Sequence, residues 1–391
     1  MRLLLPAAFN LFVAGGLLAG LLGLSNLAML AQQPPRARHE PAPATPRAAP
    51  TVPPPDRTPT TRDRAAPQAT LIATSATVDD GRAWWLLYVV GGDLLETDGG
   101  DTPLQLTQDG AIGQPALGEA TLAFVKRTRN ASDIWLAAPN APPHPITRDT
   151  SPVVAQNHWA AQPVFVPGTQ RLYALGDFNK GTTGVGDLAI WELSVRDAAV
   201  SLDQITHPPA YAGGDQDVAL NPQQPQQLIF TRYAYIGTRL AEQLQWLDVA
   251  SDVLVPLTAA DQPARQATYA PDGTRVAFVQ HGDGAHEDLY VAHLRPAGGQ
   301  TQLQDIQQVA AGLIANPVWR PDGRALAYIA QTGDTFQIWS VDLQWALDGT
   351  LRVGQPRQMT RGAGVDATSR PVYLSPEQAD QVQRWLTPAT P

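Results

Sequence analysis

With 391 residues, 43% hydrophobic and only 16% charged, the chain can form two ordinary domains or one large repeat fold. That composition excludes wholesale disorder and a charge-laced coiled coil. There is no cysteine, which excludes disulfides, thiolate metal sites, cysteine nucleophiles and a lipidated N-terminal cysteine. The net charge of −9 is split: residues 1–70 carry seven arginines against three acids, and the remainder 20 basic against 33 acidic residues. An acidic body repels phosphate backbones, so no nucleic-acid partner is expected.

No charged side chain occurs from Leu3 to Pro35, and Leu11 to Ala31 is almost wholly apolar. About 20 such residues match the roughly 30 Å hydrocarbon core of a bilayer, so residues 1–33 are expected to form a transmembrane signal anchor, in the membrane through residues 3–31. A cleaved signal peptide is the alternative, although its apolar core is usually about 7–15 residues. Arg2 precedes the span while Arg36 and Arg38 follow it, a distribution that opposes export under the positive-inside rule. Signal anchors at an extreme N-terminus nevertheless commonly deliver the next domain outward. The expectation is therefore a single-pass cell-membrane protein whose body lies on the extracytoplasmic side.

Residues 34–70 read as a proline-rich disordered linker. Between 34 and 67 there are eleven prolines, no Phe, Trp or Tyr, and only Val52 among the branched aliphatics. Such a segment cannot bury apolar area to offset its ordering entropy. At about 3.1 Å per residue it spaces the body from the bilayer by up to roughly 100 Å.

From residue 71 the pattern becomes β-rich and periodic. One apolar run recurs six times: "LLYVV" (86–90), "LAFV" (122–125), "LYAL" (172–175), "LIFT" (228–231), "VAFV" (276–279) and "LAYI" (326–329). A second run follows each, at 94–98, 134–137, 190–193, 244–248, 289–292 and 338–342. Five units then close on an aliphatic or Met followed by Thr107, Thr147, Thr206, Thr258 or Thr360, whereas the fifth has Val309-Ala310. Ahead of the central run comes a strand, often opening on proline and ending in a turn, clearest in "ATYAPDG" (267–273) and "PVWRPDG" (317–323). Proline presets φ, Asp caps locally and Gly accepts positive φ. Four strands per unit, repeated six times, predict a six-bladed β-propeller over residues 71–376.

The segment "PVWRPDGRALAYIAQTGDTFQIWSVD" (317–342) resembles the repeat of TolB-type six-bladed propellers, and "ATYAPDGTRVAFVQHGDGAHEDLYVAHL" (267–294) is similar. Arg320 and Ala270 stand where that repeat usually has Ser, and the first four units have mostly lost Pro-Asp-Gly. The resemblance covers residues 74–376 and implies the fold far more than a role. The periplasmic namesake also carries an N-terminal α/β domain, whose place is taken here by the apolar span and linker. For ring closure, "RPVYLSP" (370–376) is expected to supply the innermost strand of the blade at 82–107, with "TSATVDDG" (74–81) as the competing candidate. A short helix, Pro376 to Leu386, and a tail complete residues 377–391.

On a propeller, function sits in the loops around the axis. Loops between second and third strands share one end of the ring with the interblade loops. Those at 126–133 and 232–243 are basic and aromatic, 176–187 is glycine-rich, and 281–287 carries two histidines and two acids. Lys126, Arg127, Arg129, Trp159, Phe178, Lys180, Arg232, Tyr233, Tyr235, Arg239, His281 and His286 are the candidate binding residues. Such a mixture suits an envelope protein or polysaccharide as partner. His281, Asp283, His286 and Glu287 match no metal-ligand spacing, so no metal or cofactor is expected. The alternative reading is a channel-centred hydrolase or lyase. No Gly-x-Ser-x-Gly occurs in the sequence, and no paired carboxylates mark a catalytic centre.

Overall fold

The alternation inside each central run decides how the sheets assemble. In a strand, successive side chains point to opposite faces, so four consecutive apolar residues require cover on both. A computed structural model shows how that cover is supplied; it describes residues 84–386 except 149, 181–185, 197–198, 283–285, 299 and 347–348. The readings for residues 1–33, 34–70 and 74–81 fall outside the described residues. Among those described, no helix is long and apolar enough to cross a membrane.

Six antiparallel sheets follow one another along the chain. Blade I joins β25 (Val372–Leu374), β1 (Trp85–Val90), β2 (Asp93–Thr97) and β3 (Leu104–Gln105). Blade II holds β4 (Ile112–Leu117), β5 (Leu122–Arg127), β6 (Ser132–Ala138) and β7 (Ala141–Pro145). Blade III holds β8 (Ala160–Phe165), β9 (Arg171–Gly176), β10 (Ala189–Arg196) and β11 (Ala199–Gln204). Blade IV holds β12 (Asp215–Leu220), β13 (Gln227–Ile236), β14 (Arg239–Asp248) and β15 (Val253–Pro256). Blade V holds β16 (Ala264–Tyr269), β17 (Arg275–His281), β18 (Glu287–Ala297) and β19 (Gln300–Ala310). Blade VI holds β20 (Ile314–Trp319), β21 (Ala325–Thr332) and β22 (Thr335–Trp345), whose outer edge is shared by β23 (Leu351–Val353) and β24 (Arg357–Gln358).

Each second strand joins two seams. Leu86 and Tyr88 of β1 pack with Ala327 and Ile329 of β21, while Leu87 and Val89 pack with Leu122 and Phe124 of β5. Val276 and Phe278 of β17 face blade IV, and Ala277 and Val279 face blade VI. The same division holds in β9 and β13, so six interblade cores close into a ring. Each fully buried Leu or Phe in these runs contributes about 1.5–3 kcal/mol.

The threonines that end five of the units each lie two residues beyond an outer strand and return to the third. Thr107, Thr147, Thr206, Thr258 and Thr360 accept hydrogen bonds through Oγ1 from the backbone N–H of Leu94, Ile134, Ile190, Leu244 and Ile338, at 2.8–3.1 Å. Blade V dispenses with this clasp: β19 runs on until Ala310 pairs directly with Leu289. The Pro-Asp-Gly turns form as their chemistry dictates. Asp272 Oδ1 accepts from Thr274 N–H (2.9 Å), and Gly273 has φ +70°. Arg320, at the usual Ser position of the second such turn, places Nε 2.9 and 3.0 Å from the two oxygens of Asp322.

Closure follows the C-terminal route. β25 pairs antiparallel with β1 in the register Trp85–Leu374, Leu86–Tyr373 and Leu87–Val372. The helix α1 (Pro376–Leu386) then begins with proline at its first position and a reciprocal cap. Ser375 N–H donates to Gln378 Oε1 (2.8 Å), and Gln378 N–H donates to Ser375 Oγ (3.3 Å). Ala379, Val382 and Trp385 bury against Leu87, Val89, Ile112 and Leu374 at the seam of blades I and II.

One expectation needs correction. The first strands do not open on proline: β4, β8 and β20 begin three residues before Pro115, Pro163 and Pro317. Each proline follows a residue in the left-handed region, at a β-bulge. The inner edge of a blade has no further strand to pair with, so a missing N–H is tolerated there.

Candidate functional site: the loop end and the axial cavity

The five bulges, one in each innermost strand of blades II–VI, place Gln114, Gln162, Asp217, Gln266 and Asn316 at equivalent positions, with φ between +48° and +57°. Their side chains link neighbouring blades. Gln162 N–H donates to Gln114 Oε1 (2.9 Å), Asp217 N–H to Gln162 Oε1 (2.7 Å), and Asn316 N–H to Gln266 Oε1 (2.9 Å). Between blades IV and V, Gln266 N–H donates to Thr231 Oγ1 (3.2 Å), whose hydroxyl donates to Asp217 Oδ2 (3.1 Å). Asn316 Nδ2 reaches blade I, donating to the carbonyls of Ala367 (2.9 Å) and Ser369 (2.8 Å).

Arg370, just before β25, crosses to the opposite side of the ring. It donates to Val218 C=O (2.9 Å) and approaches Asp217 Oδ1 at 3.3 Å, both on blade IV. Burial pulls its pKa below the usual arginine value, opposed by the Asp217 carboxylate. An axial cavity of about 440 Å³ opens on the side of the belt where first strands turn into second strands. Its wall includes Pro115, Pro163, Phe165, Tyr269, Pro317 and Trp319, with Gln266, Asn316 and Arg370 as polar members. No candidate named from the sequence lines this cavity.

Those candidates belong to the other end of the ring, where the first strands begin. Most of the cations there are already paired. Lys126 Nζ lies 2.8 Å from Asp109 and 4.5 Å above the Trp135 ring. Lys180 pairs with buried Asp177 at 3.2 Å and also donates to Asn157 C=O. Arg232 grips Asp215 in a fork, Nε–Oδ1 2.7 Å and Nη2–Oδ2 2.8 Å. His281 Nδ1 lies 3.1 Å from Glu287, and His286 lies 3.8 Å from Asp288. Glu287 and Glu242 both hold Arg265 at 3.2 Å, and burial raises the Glu242 pKa despite that cation. Arg127 is half-buried, its pKa lowered by burial against the opposing pull of Asp366.

The aromatic candidates divide. Phe178 packs edge-on against Trp191 (5.4 Å), and Trp159 is half-buried, its backbone N–H donating to Asp177 Oδ1 (2.7 Å). Tyr233 is corrected as a surface residue. Residues 232–243, read as a loop, are the paired arms of β13 and β14 around Gly237-Thr238, and Tyr233 is buried at 2% exposure. Burial raises its pKa far above the phenol range. Arg129, Tyr235 and Arg239 are exposed, Arg239 donating to Ala260 C=O at 2.7 Å.

Of the exposed apolar residues at this end, Tyr211 and Tyr235 belong to the loop face read from the sequence, whereas Val153, Val154 and Ile236 were not singled out there. Val153 and Val154 in one interblade loop, Tyr211 in the next, and Tyr235 and Ile236 at the β13–β14 tip are 51–64% exposed. All other large exposed hydrophobics among the described residues lie on outermost strands. Of the metal reading, Asp283 lies outside the described residues. Among the described residues no group of three or more metal-ligating side chains gathers.

No protein-family profile matches the chain. An 85-residue stretch is 27% identical to the Tol-Pal system protein TolB of Alcanivorax borkumensis, covering 22% of this chain and 18% of that relative's length. In structure, TolB from Acinetobacter baumannii matches with a TM-score of 0.54 and 16% identity, over 74% of this chain and 66% of its own. A putative TolB from Agrobacterium tumefaciens matches with a TM-score of 0.51 and 12% identity, over 74% and 92%. At these identities the likeness is one of architecture. The chain carries a six-bladed β-propeller of the TolB type.

Proposed function

We propose that this protein is a membrane-tethered, extracytoplasmic recognition module whose propeller docks an envelope protein at its loop end. The observation that carries the reading is the exposure of Val153, Val154, Tyr211, Tyr235 and Ile236 on loops at one end of the ring, with Arg239 paired to Ile236 at the β13–β14 tip. Apolar and aromatic side chains ringed by polar loops are the composition of protein-contact hot spots. A wall polysaccharide would call instead for open polar clefts. The likeness to TolB propellers, one of them named as a Tol-Pal system protein, supports an envelope setting. The apolar run at residues 3–31 supports the tether. Among the described residues the axial wall contains no Asp, Glu or His, which favours binding over acid–base chemistry there.

The chain's lack of cysteine makes the test direct. Thr238→Cys puts one thiol at the exposed β13–β14 tip, to be labelled in spheroplasts with a membrane-impermeant maleimide photo-cross-linker. The expected result is labelling without lysis and a discrete cross-linked envelope protein, which disappears when Tyr235 and Ile236 are both changed to Ser. Labelling only after lysis would refute the extracytoplasmic placement. Efficient labelling with no discrete adduct would refute the recognition role.

A further inference from the structure

The belt around the axis imposes a polarity on the amide side chains that compose it. A backbone N–H can only donate, so an amide facing one must present its oxygen. Gln266 spends Oε1 on Asn316 N–H, at 2.9 Å. Its Nε2 has no partner among the described residues, and Gln266 lines the axial cavity. Arg370 lines it too. Two of its N–H groups are engaged, one on Val218 C=O and one on Asp217 Oδ1, and its side chain remains 23% exposed.

Asp217 has little left to offer that guanidinium. Oδ1 also accepts from Gln162 Nε2 (3.1 Å) and Oδ2 from Thr231 Oγ1 (3.1 Å). Three of the five guanidinium N–H donors therefore carry no hydrogen bond among the described residues. The resulting site has one guanidinium and one amide NH₂ at its floor, under a wall of proline, Phe165, Tyr269 and Trp319. Its volume of about 440 Å³ falls in the range of small-molecule sites, about 300–1,000 Å³.

We propose that the axial cavity binds a small amphipathic carboxylate, with the carboxylate on Arg370 and Gln266 Nε2 and the apolar body against the proline–aromatic wall. A planar guanidinium fork matches a carboxylate better than any neutral acceptor, and charge-assisted bonds are about twice as strong as neutral ones. This site lies at the opposite end of the ring from the loop cluster and stands independently of its partner.

The test uses the full chain in detergent and three probes with one carbon skeleton, 4-phenylbutyrate, 4-phenylbutyramide and 4-phenylbutylamine, titrated by saturation-transfer NMR. The acid is expected to bind about tenfold or more tighter than the amide, and the amine not to saturate. Arg370→Gln removes the guanidinium and is expected to abolish the acid's advantage. Ala116→Phe, which adds bulk at a cavity-lining residue of blade II, is expected to weaken acid binding with Arg370 intact. Equal affinity for acid and amide, no saturable binding of the acid, an acid preference that survives Arg370→Gln, or acid affinity left unchanged by Ala116→Phe would overturn the proposal. Should Arg370→Gln fail to fold, the wild-type probe series and Ala116→Phe still decide the matter.

Discussion

Blade I and blade V solve the same construction problem with different material. Blade V is one continuous segment with a six-residue inner strand, a bulge and eleven-residue outer arms. Blade I is assembled from both ends of the described chain, and its inner strand β25 is only three residues long. What backbone pairing lacks there, α1 makes up by burying Ala379, Val382 and Trp385 into the same core. A ring can thus be sealed by few hydrogen bonds, provided that an apolar wedge backs them.

The largest test of that contrast is a stop codon after Pro371, which removes β25 and α1. Blade I would then expose the inner edge of β1 and the apolar faces of Leu87 and Val89. We expect loss of the cooperative thermal transition, an effect beyond about 5 kcal/mol. A soluble variant that melts as sharply as the parent would show that the wedge is dispensable.

Within blade V, Phe278→Ala removes a fully buried ring stacked on Tyr290 at 5.9 Å between centroids. The expected loss is about 3–5 kcal/mol in denaturant unfolding, with the ring still closed. A loss under about 1 kcal/mol would mean that the seam repacks, contrary to the tight interblade cores described here.

The smallest effect concerns Glu96, wholly buried in blade I and hydrogen-bonded by Gln383 of α1. Burial raises its carboxyl pKa, with Gln383 pulling the other way. A folded pKa above the unfolded one means that the ionised form is penalised only in the fold. The penalty is therefore absent well below the unfolded value and develops as pH rises through the raised one. Glu96→Gln should melt higher than the parent at pH 7 and equal to it near pH 4, by differential scanning calorimetry. A gain that persists unchanged at pH 4 would assign the effect to packing instead.

Much of the scaffold was legible in the residues, because it rests on alternation and turn chemistry. The six central runs coincide with β1, β5, β9, β13, β17 and β21, since burial on both faces leaves an unbroken apolar run. The helix expected at Pro376–Leu386 is α1 over those same residues. The belt was not legible. Gln and Asn at positive φ carry no signal of their own, and five scattered polar residues look like ordinary strand punctuation. In retrospect, Gln114-Pro115, Gln162-Pro163 and Asn316-Pro317 share one offset within their blades. Tyr233 was misplaced because β13 extends past its apolar run into "RYAYI", where alternation sends Tyr233 inward and leaves Tyr235 outside. The pairing of the loop-end cations was only partly legible: Lys126 and Arg232 find Asp109 and Asp215 on separate segments, whereas Lys180 and Asp177 are three residues apart in one loop.

Arg370 ties the chain's final strand to the far wall of the ring. When β25 lifts away, blade IV loses a strut at the same moment as blade I loses its edge. The ring is then expected to open at opposite rims together, instead of shedding blades in sequence.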